Sequence, residues 1–520
     1  MRLMDKNLLD KEVLCIIDTR QIQKYIFHVN DMSETIGANS MLSHLMQDAF
    51  IYAVEHIAEP LQPDEYSFYL IDGKESVRYF DDENVKIHVI SSVANNMLVL
   101  FRTGALCRDI VRKISRYYLD NTYSLCVSAA YVEKTEDISY DLQELFKVLG
   151  QTKSIESGSR PLEALSVARI EKNTGEPVAF IDNKTGEEYS RAIDFRRREY
   201  FRLKDALTVS SVNFTRDRDG LEYYAVAHID GNNMHATITA VTDSTSDYRD
   251  NINIRRQIDR NIQNGIAKAI QDSVNETKKA LEISDEEFEH EFRIVHIGGD
   301  DLNIISNASV IFTFLEKYMS HMKDVVIWQS DENKLSISAC AGVAFVEKST
   351  PFIDAFSIAE DCCDNAKKYA KEEEHYVNGC VGNWVDFTVA HSDSPMIDDR
   401  ENRFVTQDGV HLFLRPYCFD APLAGTPHSY YDFKKRALCL RKTDLPVSVV
   451  SGLADISDIG IMNTGSTGSK AYYLFSDMFE DITDSLEKQI VKPLVRSEGK
   501  MYATLYDALE TQAFFPVKGR

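Results

Sequence analysis

One order of elements occurs twice along this chain, and few folds accommodate it. In the second half, LEYYAVAHID (221–230) reads as an apolar strand ending on a carboxylate. A helix follows, with Ile254, Ile258, Ile262, Ile266, Ile270 and Val274 at every fourth position, which lines one helix face. FRIVHI (292–297) and LNIIS (302–306) flank the turn Gly298-Gly299-Asp300-Asp301 and read as a hairpin. SVIFTFLEKYMSHMK (309–323) reads as a helix and LSISACAGVAFVE (335–347) as a strand. Pro351 then opens another helix, a position that suits its fixed φ and missing N–H. A strand around NWVDFTV closes the unit. The order βαββαβ predicts an antiparallel sheet covered by helices, of ferredoxin-like type.

The first half repeats this order. VLCIID (13–18) ends on Asp18, a helix covers roughly 35–58, and KIHVISS and MLVLF flank a turn. ALCRDIVRKISRYYL, LCVSAAYVE and DLQELFKVLGQTK follow as helix, strand and helix. Val93-Ala94-Asn95-Asn96 stands where the second copy has Gly298-Gly299-Asp300-Asp301, so the first copy lacks the carboxylates. Self-similarity on this scale argues for duplication. The expected organisation is α+β. It has a degenerate first domain (1–155), a polar, turn-rich connector (156–215), a second domain carrying the acidic turn (216–425) and a C-terminal helical domain (426–520).

Composition narrows the function. The chain has 520 residues, 44% of them hydrophobic, enough for several cores. Its net charge of −24 argues against a surface that neutralises nucleic-acid phosphates, so direct nucleic-acid binding is not expected. No run reaches the roughly 20 apolar residues of a membrane span, and MRLMDKNLLDKEV lacks the apolar core of a signal peptide. Nine scattered cysteines without a Cys-x-x-Cys pair suit reduced thiols in a cytoplasm.

The acidic turn carries the chemistry. Asp300 and Asp301 on a hairpin, with Asp230 at the end of a neighbouring strand, can converge on one point. Hard cations such as Mg²⁺ or Mn²⁺ are held by one or two carboxylates plus substrate phosphates. Two such ions can activate a 3′-hydroxyl and stabilise leaving pyrophosphate. Gly298 and Gly299 permit a sharp turn and close approach of a triphosphate, and Lys367 could reach a phosphate as a point charge. The plainer reading is ordinary turn chemistry, since Gly and Asp both favour hairpins. The strand-terminal Asp230 and the later Lys367 favour catalysis.

GGDD on a hairpin, ISACAGVAF followed by a proline-led helix ending AEDCCDNAKK, and GNWVDF together resemble the palm/cyclase domain of the large polymerase subunit of type III CRISPR effector complexes. IIDTRQIQKYIF with TIGANSMLSHLM resembles the degenerate first palm of the same proteins, and ARIEKNTGEPVAFID and LFLRPYCFDAPL resemble other pieces. The resemblance covers most of 13–420, with a more distant similarity to GGDEF diguanylate cyclases. It implies a nucleotidyltransferase that joins ATP, or another nucleoside triphosphate, into a cyclic or linear oligonucleotide messenger. Such messengers activate effector proteins in antiviral defence. It further implies Asp230, Asp300 and Asp301 as catalytic and metal-binding residues serving two Mg²⁺ or Mn²⁺ ions, with Asp230 and Asp300 as ligands and Asp301 supporting them. Gly298, Gly299, Lys367, Asn232 and Asn233 would contact nucleotide, and a second nucleotide would sit in the degenerate palm.

The chain departs from the family in places. Asp230-Gly231-Asn232-Asn233 replaces an Asp-x-Asp pattern, so Asn232 keeps a carbonyl ligand and loses a charge. His235 stands where glycine is common. None of the 13 histidines precedes an aspartate, so no HD nuclease motif is present, and the connector lacks zinc-type cysteine pairs. These features favour a stand-alone or reduced defence enzyme, alone or as an oligomer. Competing readings are a mononucleotide cyclase, a catalytically weak nucleotide-binding scaffold or sensor, and a subunit of an RNA-guided complex. Other signals are plainer. NTGSTGSKA (463–471) reads as a loop, FRRREYFR (195–202) as a solvated helix face paired with acids, SDEEFEHE (284–291) as a solvated loop, and Cys362-Cys363 as packing.

Overall fold

The computed structural model describes residues 6–516 apart from 27–31, 69–77, 94, 155–167, 173, 184, 205–212, 217–219, 244, 330–333, 373–374, 378–379, 391–404, 406–408, 421–426, 443–493 and 498. The chain forms two compact units. One comprises Met1–Val209 with Asn233–Gln263, the other Ser210–Asn232 with Asn264–Arg520.

In the first unit the elements run β1 (Val13–Arg20), α1 (Met32–His56), β2 (Tyr66–Phe68), β3 (Ile87–Val93), β4 (Asn96–Phe101), α2 (Gly104–Thr122), β5 (Cys126–Glu133) and α3 (Ile138–Ser154). The sheet order is β2-β3-β4-β1-β5, with β1 antiparallel to both neighbours. Without the added edge strand β2, this is the ferredoxin-like order that the repeated pattern predicts. Strand periodicity sorts β1 onto two faces. Leu14 and Ile16 join Leu142, Leu145 and Leu149 of α3 in one core, while Cys15 meets Cys107 of α2. Val93 pairs with Asn96 across the hairpin.

The connector contributes β6 (Val178–Ile181) and β7 (Glu188–Ser190), an antiparallel pair, and α4 (Arg191–Lys204). Three basic residues of α4 are matched by acids: Arg197 to Glu34 at 2.8 Å, Arg198 to Asp194 at 2.6 Å and Arg202 to Glu199 at 2.6 Å. The FRRREYFR cluster is therefore in part the paired face expected of it, but Arg196 is buried and donates to the Tyr25 carbonyl instead.

The second pattern unfolds as β8 (Glu222–Gly231), α5 (Met234–Thr242), α6 (Tyr248–Leu281), α7 (Asp285–Glu291), β9 (Phe292–Gly298), β10 (Asp301–Asn307), α8 (Ala308–Met322), β11 (Ala339–Glu347), α9 (Phe352–Ala370), β12 (Trp384–Ala390) and β13 (Tyr417–Cys418). Its sheet order is β9-β10-β8-β11-β12-β13. The four strands β8 to β11 repeat the ferredoxin-like order, and β12 extends it in parallel beside β11. The predicted long helix is α6; Ile258, Ile262, Ile266 and Ile270 are buried along it. The acidic stretch 284–291 is a helix, not the expected loop. Ser284 and Glu287 form a capping box that satisfies the free amides of its first turn.

The C-terminal segment belongs to the second unit. Helix α10 (Tyr430–Lys442) is followed, among the described residues, by the hairpin β14 (Leu494–Ser497) and β15 (Lys500–Ala503) and by α11 (Tyr506–Thr511). NTGSTGSKA and most of the expected helix YYLFSDMFEDITDSLEKQIVKPLV lie outside the described residues. The segment closes an aromatic core in which Phe312 stacks on Phe515 and Phe345 on Phe514. Buried Asp507 accepts from the amides of Leu414 and Arg415 and from the Tyr417 hydroxyl. No helix among the described residues is long and apolar enough to cross a membrane.

Candidate metal and nucleotide site at the acidic turn

Strand register gathers the site. His228 and Asp230 are two residues apart on β8, so they share a sheet face. Leu302 of β10 pairs with Ile229, and one further step brings Asp301 opposite Asp230. Cys340 of β11 flanks Asp230 on the other side, and Trp384 of β12 flanks Cys340. Helix α9 lies on this face at very short range. A Cβ on Gly342 would stand 1.9 Å from the Ala359 carbonyl oxygen, so the position requires glycine. From that helix Lys367 forms an ion pair with Asp230 Oδ2.

The turn itself is a two-residue hairpin. Gly298 pairs with Asp301, and Gly299 has φ +71°, the left-handed region where a side chain is strained. Gly298 answers a different demand. A Cβ there would meet His296 Nε2 at 2.5 Å.

Three carboxylates in a half-buried corner repel one another. Burial, the charges of Asp230 and Asp300, and a hydrogen bond with Asp230 push the Asp301 carboxyl up to about 8. Burial and the Asp230 charge also raise Asp300. Burial alone would lower Lys367, but its ion pair with Asp230 outweighs this and raises it. His296, buried in the neighbouring strand near His228, is pushed down to about 4.

The structure brings Asp230, Asp301 and Lys367 together, with Asp300 close enough to perturb Asp301. It also adds a group that sequence reasoning missed. One ligand atom each from His228, Asp230 and Asp301 lie within 4.8 Å of one another, a set that could hold a metal ion. The alternation in HID (228–230) was the available signal. The donor set fits a divalent cation, because two carboxylates and an imidazole bring their ligand atoms within reach of a single ion.

Asn232 is buried beside this group, with its amide committed elsewhere. Nδ2 donates to Ser338 Oγ at 3.0 Å and to the Gly382 carbonyl at 3.1 Å. Among the described residues its Oδ1 has no hydrogen-bond partner. Asn233 is the exposed, left-handed N-cap residue of α5 and belongs to the first compact unit. The His235 side chain lies outside the described residues.

An antiparallel ferredoxin-like sheet with carboxylates at a β-hairpin and at the adjacent strand end has the architecture of a palm domain. More narrowly, residues 223–375 match the family model of the second palm domain of Cas10/Cmr2, so the second unit carries a Cas10-like palm. Solved structures share the fold over nearly the whole chain. The Csm1 structure from T. onnurineus has a TM-score of 0.52 at 11% identity, covering 98% of this chain and 70% of that one. A Csm1–Csm4 cassette in complex with cA4 gives 0.52 at 11%, covering 97% and 69%. The cassette in complex with AMPPNP gives 0.51 at 12%, covering 97% and 70%. No curated protein matches the chain.

Proposed function

We propose that this chain is a metal-dependent nucleotidyltransferase. It joins ATP, or another nucleoside triphosphate, through 3′–5′ phosphodiester bonds into a cyclic or linear oligonucleotide messenger, and pyrophosphate leaves. The observation that carries this reading is the convergence of Asp230, Asp301 and Lys367 beside the Gly298–Asp301 turn. Asp230 and Asp301 would hold Mg²⁺ or Mn²⁺, with Asp300 supporting them. A bound divalent ion there supplies charge stabilisation for the attacking 3′-oxygen and the departing pyrophosphate.

The remaining roles follow from position. Backbone amides at Gly298 and Gly299 are free of bulky side chains and suit phosphate oxygens. Lys367 pairs with Asp230, and its ammonium stands where it would meet a triphosphate oxygen as a point charge. The solved relatives were crystallised with AMPPNP and cA4, which supports an adenine nucleotide as substrate. This reading places the protein in cytoplasmic antiviral defence, upstream of an effector that reads the messenger.

The test is incubation of the protein with each nucleoside triphosphate, alone and mixed, with Mg²⁺ or Mn²⁺, and product identification by mass spectrometry. A phosphodiester-linked product that Asp230→Asn and an Asp300→Ala/Asp301→Ala double variant lose, while keeping a native circular dichroism spectrum, supports the proposal. A single-nucleotide cyclic product identifies a mononucleotide cyclase instead. ATP retained without turnover identifies a binding-only sensor. Synthesis that appears only with partner chains and RNA identifies a complex subunit.

A further inference from the structure

The residues at this site include one that a carboxylate-only cation site does not need. His228 is 7% exposed, lies on the same face of β8 as Asp230, and places a ring nitrogen in the group with Asp230 and Asp301. Its Nδ1 is 2.6 Å from Asn303 Oδ1. Asn303 sits opposite His228 on β10 and is fully buried. An amide oxygen only accepts, so Nδ1 carries the proton and the lone pair lies on Nε2. Phe356 of α9 packs edge-on against the ring, with centroids 5.6 Å apart, and limits its rotation.

We infer that His228 Nε2 is a ligand of the metal ion held by Asp230 and Asp301, and that Asn303 is the positioning residue that fixes its tautomer. The inference rests on the nucleotidyltransferase reading of the same carboxylates. Ligating histidines characteristically donate their other N–H to an oxygen that orients the ring, and Asn303 supplies that oxygen here. The consequence is metal choice. Mg²⁺ prefers oxygen donors, whereas imidazole suits first-row transition ions, so a nitrogen in the set biases the site toward Mn²⁺. The row His296–Asn303–His228 lies across three adjacent strands, so sheet register holds this nitrogen in place independently of any loop.

The full chain loaded with Mn²⁺ alone tests this by pulsed electron paramagnetic resonance. The expected result is nitrogen modulation of imidazole type that changes on ¹⁵N-histidine labelling of the wild-type protein. His228→Gln should abolish the modulation and weaken Mn²⁺ binding, with a smaller loss for Mg²⁺. Asn303→Leu should weaken Mn²⁺ binding, and Asn303→Asp, which keeps an acceptor, should restore it. Mn²⁺ bound in an Asp230-dependent manner without nitrogen modulation overturns the inference and leaves the catalytic reading standing. Mn²⁺ binding that is indifferent to Asp230→Asn and Asp301→Asn overturns both.

Discussion

Lys153 pairs with Asp18 at 2.8 Å in the first unit, as Lys367 pairs with Asp230 in the second. Each lysine stands fifteen positions after the first residue of its helix, 138 to 153 and 352 to 367. Each aspartate lies near the end of the first strand of its βαββαβ pattern, and Asp18 pairs with Asn96 where Asp301 faces Asp230. The duplicated frame thus kept a lysine–aspartate contact in both copies, while only the second copy surrounds it with further carboxylates.

That difference predicts unequal costs for losing the lysine. Lys153 is 45% exposed, so Lys153→Ala should cost at most about 1 kcal/mol. Lys367 is 15% exposed and neutralises a crowded carboxylate, so Lys367→Ala should cost about 1–3 kcal/mol in metal-free buffer. Urea unfolding measures both. Equal losses would show that the second site carries no extra electrostatic strain.

Stability should depend on pH from two directions. Asp301 has a folded value of about 8, far above an ordinary carboxylate. Below about pH 4 both states hold the proton and no penalty exists; as pH rises toward 8 the unfolded chain releases it first, and stability falls. His296 has a folded value of about 4, below an ordinary histidine. As pH falls from about 6.5 toward 4 the unfolded chain gains a proton first, and stability again falls. Thermal melts of metal-free protein should therefore flatten on the alkaline side in Asp301→Asn. An unchanged profile in that variant would refute the assignment.

Helix α9 positions Lys367 only because Gly342 lets it approach. Gly342→Ala should force backbone apart and cost about 1–3 kcal/mol or more, with loss of the Lys367–Asp230 contact. Hydrogen exchange would show amides of α9 and β11 losing protection. Native protection in that variant would mean the helix shifts freely on the sheet.

Asn232→Asp restores the second acid of the Asp-x-Asp pattern on paper. In the fold, an aspartate there would lose the donor to Gly382 and turn an oxygen toward that carbonyl. The variant should lose about 1–3 kcal/mol and bind Mn²⁺ no more tightly. Calorimetric titration of Mn²⁺ checks this; tighter binding without loss of stability would make Asn232 a stand-in ligand.

The sequence by itself determined the repeated βαββαβ order, because apolar periodicity of two and near four distinguishes strands from helices without any tertiary information. It determined the acidic hairpin, since Gly-Gly-Asp-Asp between two apolar runs has few other conformations. It also placed Val93 and Asn96 correctly against Gly298 and Asp301, which the two hairpin registers reproduce. Tertiary structure alone decided the rest. His228 joined the carboxylates through register between β8 and β10, and register is a property of strand pairing, not of either strand. Lys153 emerged as the counterpart of Lys367 only when helix α3 was seen against β1. Asn232 read as a carbonyl ligand by type; the fold holds its amide nitrogen through Ser338 and Gly382, far along the chain, and leaves that oxygen without a hydrogen-bond partner among the described residues. The capping box at Ser284 was local and legible, but negative charge in the segment masked it.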